Sequence, residues 1–328
     1  MTGERTLMVK VADLYYLRRL TQQDIADRLG LSRPTVSRLL QRSRAEGIVR
    51  IEVALPEGVH HRLEAALEER FGLREALVVS ARGASPAATR RALGEAAAAY
   101  LDRVLTGGEC VGISWGMTLA AVIDHVRPRK LRTTVLPLVG GLGQAAPQIH
   151  ANELAWRLAA AHEGRARLLH APAIVAHTGI RTALLSDPAI RHVLERAGRA
   201  HVALVGVGAL VPSSTLIQSG DLSASEVAAL RRRGAVGDIC TRPFTANGTG
   251  AGGALEGRII AVDLAALREI PAVIGVAGGP EKIDAILGAL TGRLINVLVT
   301  DDVSARTVLG RHGRLQAPEP VRRASGGR

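Results

Sequence analysis

The chain has 328 residues, 47% of them apolar and only 2% aromatic, with 42 Lys and Arg against 30 Asp and Glu. That length suits two domains, and a core built from Ala, Val, Leu and Ile favours an α/β protein and excludes an aromatic stacking platform for single-stranded nucleic acid. The formal charge of +12 favours a polyanionic partner, although Arg used for solubility alone would give the same sum.

Residues 7 to 52 carry helical apolar spacing in short pieces: Leu14, Leu17 and Leu20, then Ile25, Ala26 and Leu29, then Val36, Leu39 and Leu40. Thr21 and Ser32 stand where N-caps belong, and Asp24 follows Thr21 by three residues. Gly30 supplies the tight turn, Ala26 is small enough for close helix approach, and Val36 and Leu39 lock the pair. This is the frame of a helix-turn-helix. The stretch from Ser32 to Arg44 has no acidic residue. Its N-terminal Ser32, Arg33, Thr35, Ser37 and Arg38 are the expected base-reading residues, and Arg42, further along the same outer face, is a further expected DNA contact. Gln22 and Gln23, opening the preceding helix, are expected at the phosphate backbone. Ile48 to Val53 alternates as a short strand.

Pro56-Glu57-Gly58 reads as a boundary, followed by a helix whose Leu63, Ala66, Leu67 and Phe71 form one apolar face. Beyond it, apolar runs at 76–79, 110–114, 134–139, 201–207, 259–262, 272–276 and 295–300 alternate with Ala- and Leu-rich helical stretches. Such alternation predicts parallel strands with crossover helices. The resulting division is a helix-turn-helix domain (1–55), a linker helix (56–75), an α/β domain (76–309) and a disordered tail (310–328).

Several strand-to-helix junctions could hold an anion. In Gly112-Ile113-Ser114-Trp115-Gly116-Met117-Thr118, backbone N–H groups at a helix start suit phosphate, but any βα turn carries Gly and Thr. Gly140-Gly141-Leu142-Gly143-Gln144 is a second Gly-rich loop, followed by Asn152. Gly206-Val207-Gly208 lacks the third glycine and acidic partner of a dinucleotide site, so no nicotinamide cofactor is expected, nor any other. Asp238 stands in an apolar, Gly-rich stretch and could accept from sugar hydroxyls. Lys282 opposes the dipole of the helix it opens unless an anion shares the site; a solvated surface lysine is the alternative. Lys occurs only at positions 10, 130 and 282.

Cys110 and Cys240 form neither a metal-ligand pattern nor a disulfide framework and read as buried thiols of a reducing cytosol. No metal site is expected. With no signal peptide and no run long enough to span a bilayer, a cytoplasmic protein without membrane contact is expected. His150, His162, His170, His177 and His201 form no base–orienter pair with an acid nearby in sequence, so catalysis is not expected.

The stretches LTQQDIADRLGLSRPTVSRLLQRSRAEGIVRIEV, VGISWGMTLAAVI, VLPLVGGLG, ANELAWRLA, GAVGDICTRPF and VAGGPEKIDAILGALTGRLINVLVTDDVSARTVL, in that order, resemble the SorC family of sugar-binding transcriptional regulators. The resemblance implies a Rossmann-like effector domain similar to sugar-phosphate isomerases and deaminases, which also mediates oligomerisation. It further implies a phosphorylated sugar as effector, double-stranded operator DNA as partner, and a homo-oligomer, tetramer or dimer. Carried residue by residue, it puts the phosphate-side loop at Gly116, Met117 and Thr118, with Gln144, Asp238 and Lys282 as further effector contacts. The family often has a polar or basic residue where Met117 stands. A sugar-phosphate isomerase or deaminase fused to a DNA-binding domain is the competing reading, with an enzyme's turnover as its mark.

Overall fold

The computed structural model describes residues 2–51, 60–81, 85–143 and 146–315. The chain forms two compact units, Met1–Pro56 and Glu57–Arg328.

In the first unit, α1 (Thr2–Ala12) runs into a π-helical turn (Asp13–Leu17), followed by α2 (Gln22–Leu29) and α3 (Arg33–Ala45). Met8, Val11, Leu14, Ile25, Ala26, Val36, Leu39 and Leu40 make its core. The expected stripe Leu14–Leu17–Leu20 does not form: Leu17 is 78% exposed. The wide turn, closed by the Arg18 N–H to the Asp13 carbonyl, carries Leu17 off the stripe that Met8, Val11 and Leu14 define. Both caps are as the sequence indicates. Thr21 Oγ1 accepts from the Asp24 N–H while the Asp24 carboxylate accepts from the Thr21 N–H, a complete capping box. Gly30 closes α2 at φ 65°, a conformation that costs a Cβ-bearing residue about 1 kcal/mol or more. Ile48 to Ile51 form no strand; the Val49 N–H instead caps α3 at the Ser43 carbonyl (2.9 Å), and Glu52 and Val53 lie outside the described residues.

The second unit opens with α4 (His61–Phe71), β1 (Glu75–Val79), α5 (Pro86–Val104), β2 (Cys110–Ile113), α6 (Met117–Ile123), β3 (Thr134–Pro137), α7 (Ala151–Ala161) and β4 (Arg165–Ala166). Next come α8 (Thr178–Ser186), α9 (Pro188–Ala197), β5 (Val202–Gly206), β6 (Gly208–Ala209), α10 (Thr215–Gln218), α11 (Ala224–Arg232), β7 (Ala235–Ile239) and β8 (Arg242–Thr245). It ends with α12 (Leu264–Glu269), β9 (Ala272–Val276), α13 (Ile283–Thr291), β10 (Val297–Asp301) and α14 (Asp302–Leu315).

Seven strands make a sheet of order β1-β10-β9-β5-β2-β3-β4, parallel throughout. Alternate strand residues face opposite helix layers. Val202 and Leu204 join Leu93, Leu101, Leu119 and Leu158 of α5, α6 and α7 on one side. Ala203 and Val205 join Ile190, Ile286 and Val308 of α9, α13 and α14 on the other. With both faces covered, the strands read as the continuous apolar runs seen in the sequence. The chain leaves β2 towards β3 and β4 and later sets β5 on the opposite side of β2. That reversal opens a crevice at the carboxyl ends of β2 and β5.

The run 259–262 forms only isolated bridges, Ile259 to Ile174 and Ala261 to Val139, because Arg242 takes the Ala261 and Val262 carbonyls (both 2.8 Å). A second, antiparallel sheet, β6-β7-β8, was not expected. The helix read as a linker packs within this unit. Leu67 is buried, and the Glu68 and Glu64 carboxylates accept from the Ala76 and Val78 N–H groups of edge strand β1 (2.9 and 3.0 Å). The tail expected from residue 310 overlaps α14, which continues through Leu315; 316–328 lie outside the described residues. Cys240 is buried, but Cys110, opening β2, is only half-buried. No helix among the described residues is long and apolar enough to cross a membrane.

Candidate functional site

On α3, Arg33 and Arg38 are exposed and Thr35 and Ser37 half-buried. Ser32 Oγ caps the helix through the Thr35 N–H and contacts Thr35 Oγ1 at 2.8 Å, so both hydroxyls serve the fold as well as facing outward. Arg42 is already engaged: its guanidinium donates to Glu46 and to Glu4, and these bonds raise its pKa. The acid-free stretch thus meets carboxylates from outside itself. Arg44 donates to the Tyr16 hydroxyl (2.7 Å). On α2, Gln23 Nε2 donates to Asp27 and Gln22 is half-buried. A shallow depression lined by Tyr15, Arg19, Thr21, Gln22, Gln23 and Arg33 joins the first turns of α2 and α3. Sequence reading missed Tyr15 and Arg19; nothing in their spacing distinguishes them from ordinary surface residues.

The second unit holds a cavity of about 480 Å³ at the carboxyl ends of β2, β5, β9 and β10. It brings together Gly116, Met117, Thr118, Asp238 and Lys282, which lie far apart in the chain. Gln144 lies outside the described residues. The glycines before it brace the fold: the Gly140 N–H donates to the Ile260 carbonyl and the Gly141 N–H to the Ala171 carbonyl. Nearby, the Asn152 amide exchanges hydrogen bonds with the Leu169 backbone. Gly140, Gly141 and Asn152 do not line the cavity.

Gly116, at φ 132°, turns the chain from β2 into α6, and its N–H donates to the Ile149 carbonyl (3.0 Å). Thr118 is buried and Met117 is 49% exposed at the rim. Gly206-Val207-Gly208, which lacks the marks of a dinucleotide loop, forms one wall. Gly208 pairs with Asp238 across β6 and β7, and a Cβ there would stand 2.1 Å from Asp238 Oδ1. Only glycine admits the carboxylate.

Asp238 is buried, and desolvation pushes its pKa up to about 6, against the opposing pull of the Thr241 backbone N–H and Lys282. Burial pulls the Lys282 ammonium down, while Glu281 and Asp238 hold it up. The two line the same cavity and attract each other without a direct ion pair. Cys240, also lining it, is pushed up to about 12 by burial, so its thiol stays protonated. Cys240 and Thr241 make the two-residue turn between β7 and β8 at φ 52° and 64°. Positive φ is costly for a β-branched residue, about 1–3 kcal/mol, and this strained turn follows closely on Asp238.

Asp301, ending β10, accepts from the Gly279 N–H (2.8 Å), the Ser304 N–H (2.8 Å) and the Ser304 hydroxyl (2.6 Å). It is committed to holding the 278–279 loop that presents Lys282. Arg90 and Thr89 of α5, missed in sequence because Arg is abundant there, complete the lining. No histidine lines the cavity among the described residues, and none of their His, Cys, Asp and Glu cluster to hold a metal ion.

Residues 59–310 match the model of a putative sugar-binding domain, and residues 9–69 that of a Crp-like helix-turn-helix domain. The chain is 34% identical to the deoxyribonucleoside regulator of Bacillus subtilis over 307 residues, 93% of this chain and 98% of that one. It is 33% identical to the sorbitol operon regulator of Klebsiella pneumoniae over 306 residues, 92% and 97% of the two chains. The crystal structure of the full-length sorbitol operon regulator SorC from Klebsiella pneumoniae superposes with a TM-score of 0.74, covering 93% of this chain and 98% of that one at 33% identity. The putative sugar-binding domain of a transcriptional repressor from Vibrio fischeri gives 0.71 at 30% identity, over 77% of this chain and 99% of that one. A reading helix with its caps, a crevice at a parallel-sheet reversal and full-length likeness to named operon regulators converge: this chain belongs to the SorC family of sugar-binding transcriptional regulators.

Proposed function

We propose that this regulator binds a phosphorylated sugar in the cavity at the β2–β5 reversal, and that binding changes its affinity for the operator of a carbohydrate-related operon. The observation that carries this reading is the buried Asp238 beside Lys282 in that cavity. A carboxylate can accept from sugar hydroxyls, and an ammonium can donate to hydroxyl or phosphate oxygens. Gly116, Met117 and Thr118 form the rim on the β2 side. On DNA, Ser32, Arg33, Thr35, Ser37 and Arg38 read base edges, and Gln22, Gln23 and Arg42 contact the backbone. The protein works in the cytoplasm as a homo-oligomer, a tetramer or dimer, and the effector selects one arrangement of the reading helices. It is a sensor without turnover, a reading supported by likeness to proteins named as transcriptional regulators.

The test is an operator titration with and without a panel of sugar phosphates. At least one compound is expected to shift operator affinity ten-fold or more and to raise the melting temperature of the wild type but not of Lys282→Ala. If no sugar phosphate alters operator affinity, the reading fails. Turnover of a labelled sugar phosphate would replace it with the enzyme.

A further inference from the structure

Helix α5 presents Pro86, Thr89, Arg90 and Leu93 to the cavity, positions that share one helix face. Leu93 is buried in the core at the foot of this face. Arg90 lies one turn nearer the helix N-terminus, on the cavity wall. Its neighbour Arg91 turns to another face and pairs with Glu95, 3.0 Å away on the exposed surface. Among the described residues Arg90 has no hydrogen bond or ion pair.

The carboxylates of the cavity do not supply one. Asp301 is taken by Gly279 and Ser304, and Asp238 by the Thr241 N–H. Glu281 makes no hydrogen bond to Lys282 but supports its charge. Arg90 acts on Lys282 in the opposite sense, helping to lower the lysine's pKa, so the two cations repel each other. A half-buried guanidinium lining the same cavity as an ammonium, with no carboxylate bonded to either, is stable only at an electrostatic cost that an anion removes. The planar fork of Arg matches phosphate with two parallel N–H donors.

We propose that Arg90 binds an anionic group of the effector, opposite Lys282, and so selects a phosphate-bearing ligand over the corresponding free sugar. This rests on the sugar-phosphate reading of the cavity and adds to it the residue that reads the charge.

The probe is inorganic phosphate, compared with chloride at matched ionic strength by thermal melting of the full chain. Wild type and Arg91→Gln are expected to be stabilised by phosphate equally. Arg90→Gln should need about ten-fold more phosphate for the same shift, and Arg90→Lys an intermediate amount. Phosphate bound to the basic surface of the N-terminal unit is common to all variants and cancels. Equal phosphate stabilisation of wild type and Arg90→Gln overturns the proposal, as does no stabilisation of the wild type. Should the phosphate effect depend on Arg90 while no sugar phosphate moves operator affinity, Arg90 remains an anion contact and the sugar-phosphate reading is the one that fails.

Discussion

Asp238 shows how one buried carboxyl couples stability to pH. Its native pKa of about 6 lies above the 3.8 of an unperturbed aspartate, so folding favours the protonated form. The stability this contributes is full below pH 3.8 and is lost as pH rises to about 6. The difference corresponds to about 3 kcal/mol for this buried group. Asp238→Asn keeps the shape and removes the charge. It is expected to melt higher than wild type at pH 7, with the gap closing towards pH 4, while losing effector response. A variant with the wild-type pH profile would show that Asp238 is not the titrating group. The residue stands out in sequence as an acid among apolar neighbours, and that signal reflects its burial. Arg90 gives no such signal, since its meaning comes from facing Lys282 across more than half the chain's length.

At the scale of elements, legibility followed local chemistry. The helix-turn-helix could be read because its caps, its turn at Gly30 and its small Ala26 all act within a few residues. The central strands could be read because burial on both faces makes each a continuous apolar run. The β6-β7-β8 sheet could not, because β6 has two residues and β7 mixes Gly and Asp into its apolar pattern. Nor could the role of α4 be seen, because its partners are backbone groups. Glu64 and Glu68 satisfy the N–H groups that edge strand β1 turns away from β10, which blunts an edge open to other strands. Glu64→Ala with Glu68→Ala is expected to cost about 2–4 kcal/mol, from two orphaned N–H groups, and to increase aggregation on mild heating. Denaturant melts and light scattering check this; an unchanged midpoint would leave α4 as packing alone.

For the molecule as a whole, the charge of +12 bears on DNA affinity through counterion release. Operator affinity should fall linearly with salt on logarithmic axes. Arg42 is the charged residue proposed at the DNA backbone, so Arg42→Ala should reduce the magnitude of that slope by about 1 and weaken all sequences alike. Arg38→Ala, nearer the start of α3 and exposed, should instead relax sequence preference. Binding isotherms at several salt concentrations on operator and random DNA separate the two outcomes, and identical effects from both substitutions would contradict the assignment.

The sheet order sets a timetable as well as a shape. Strand β1, at residues 75–79, hydrogen-bonds within the sheet to β10 alone, at residues 297–301. On the ribosome, the helix-turn-helix can fold as soon as it emerges, since its contacts are local. The ligand cavity has to wait, because β9, β10 and the loop bearing Lys282 are among the last segments synthesised. A chain cut short before residue 297 would carry a complete DNA-reading unit and no working ear. Such fragments would keep the DNA-reading unit but lack the cavity, so this topology puts a premium on finishing or destroying every chain that is begun.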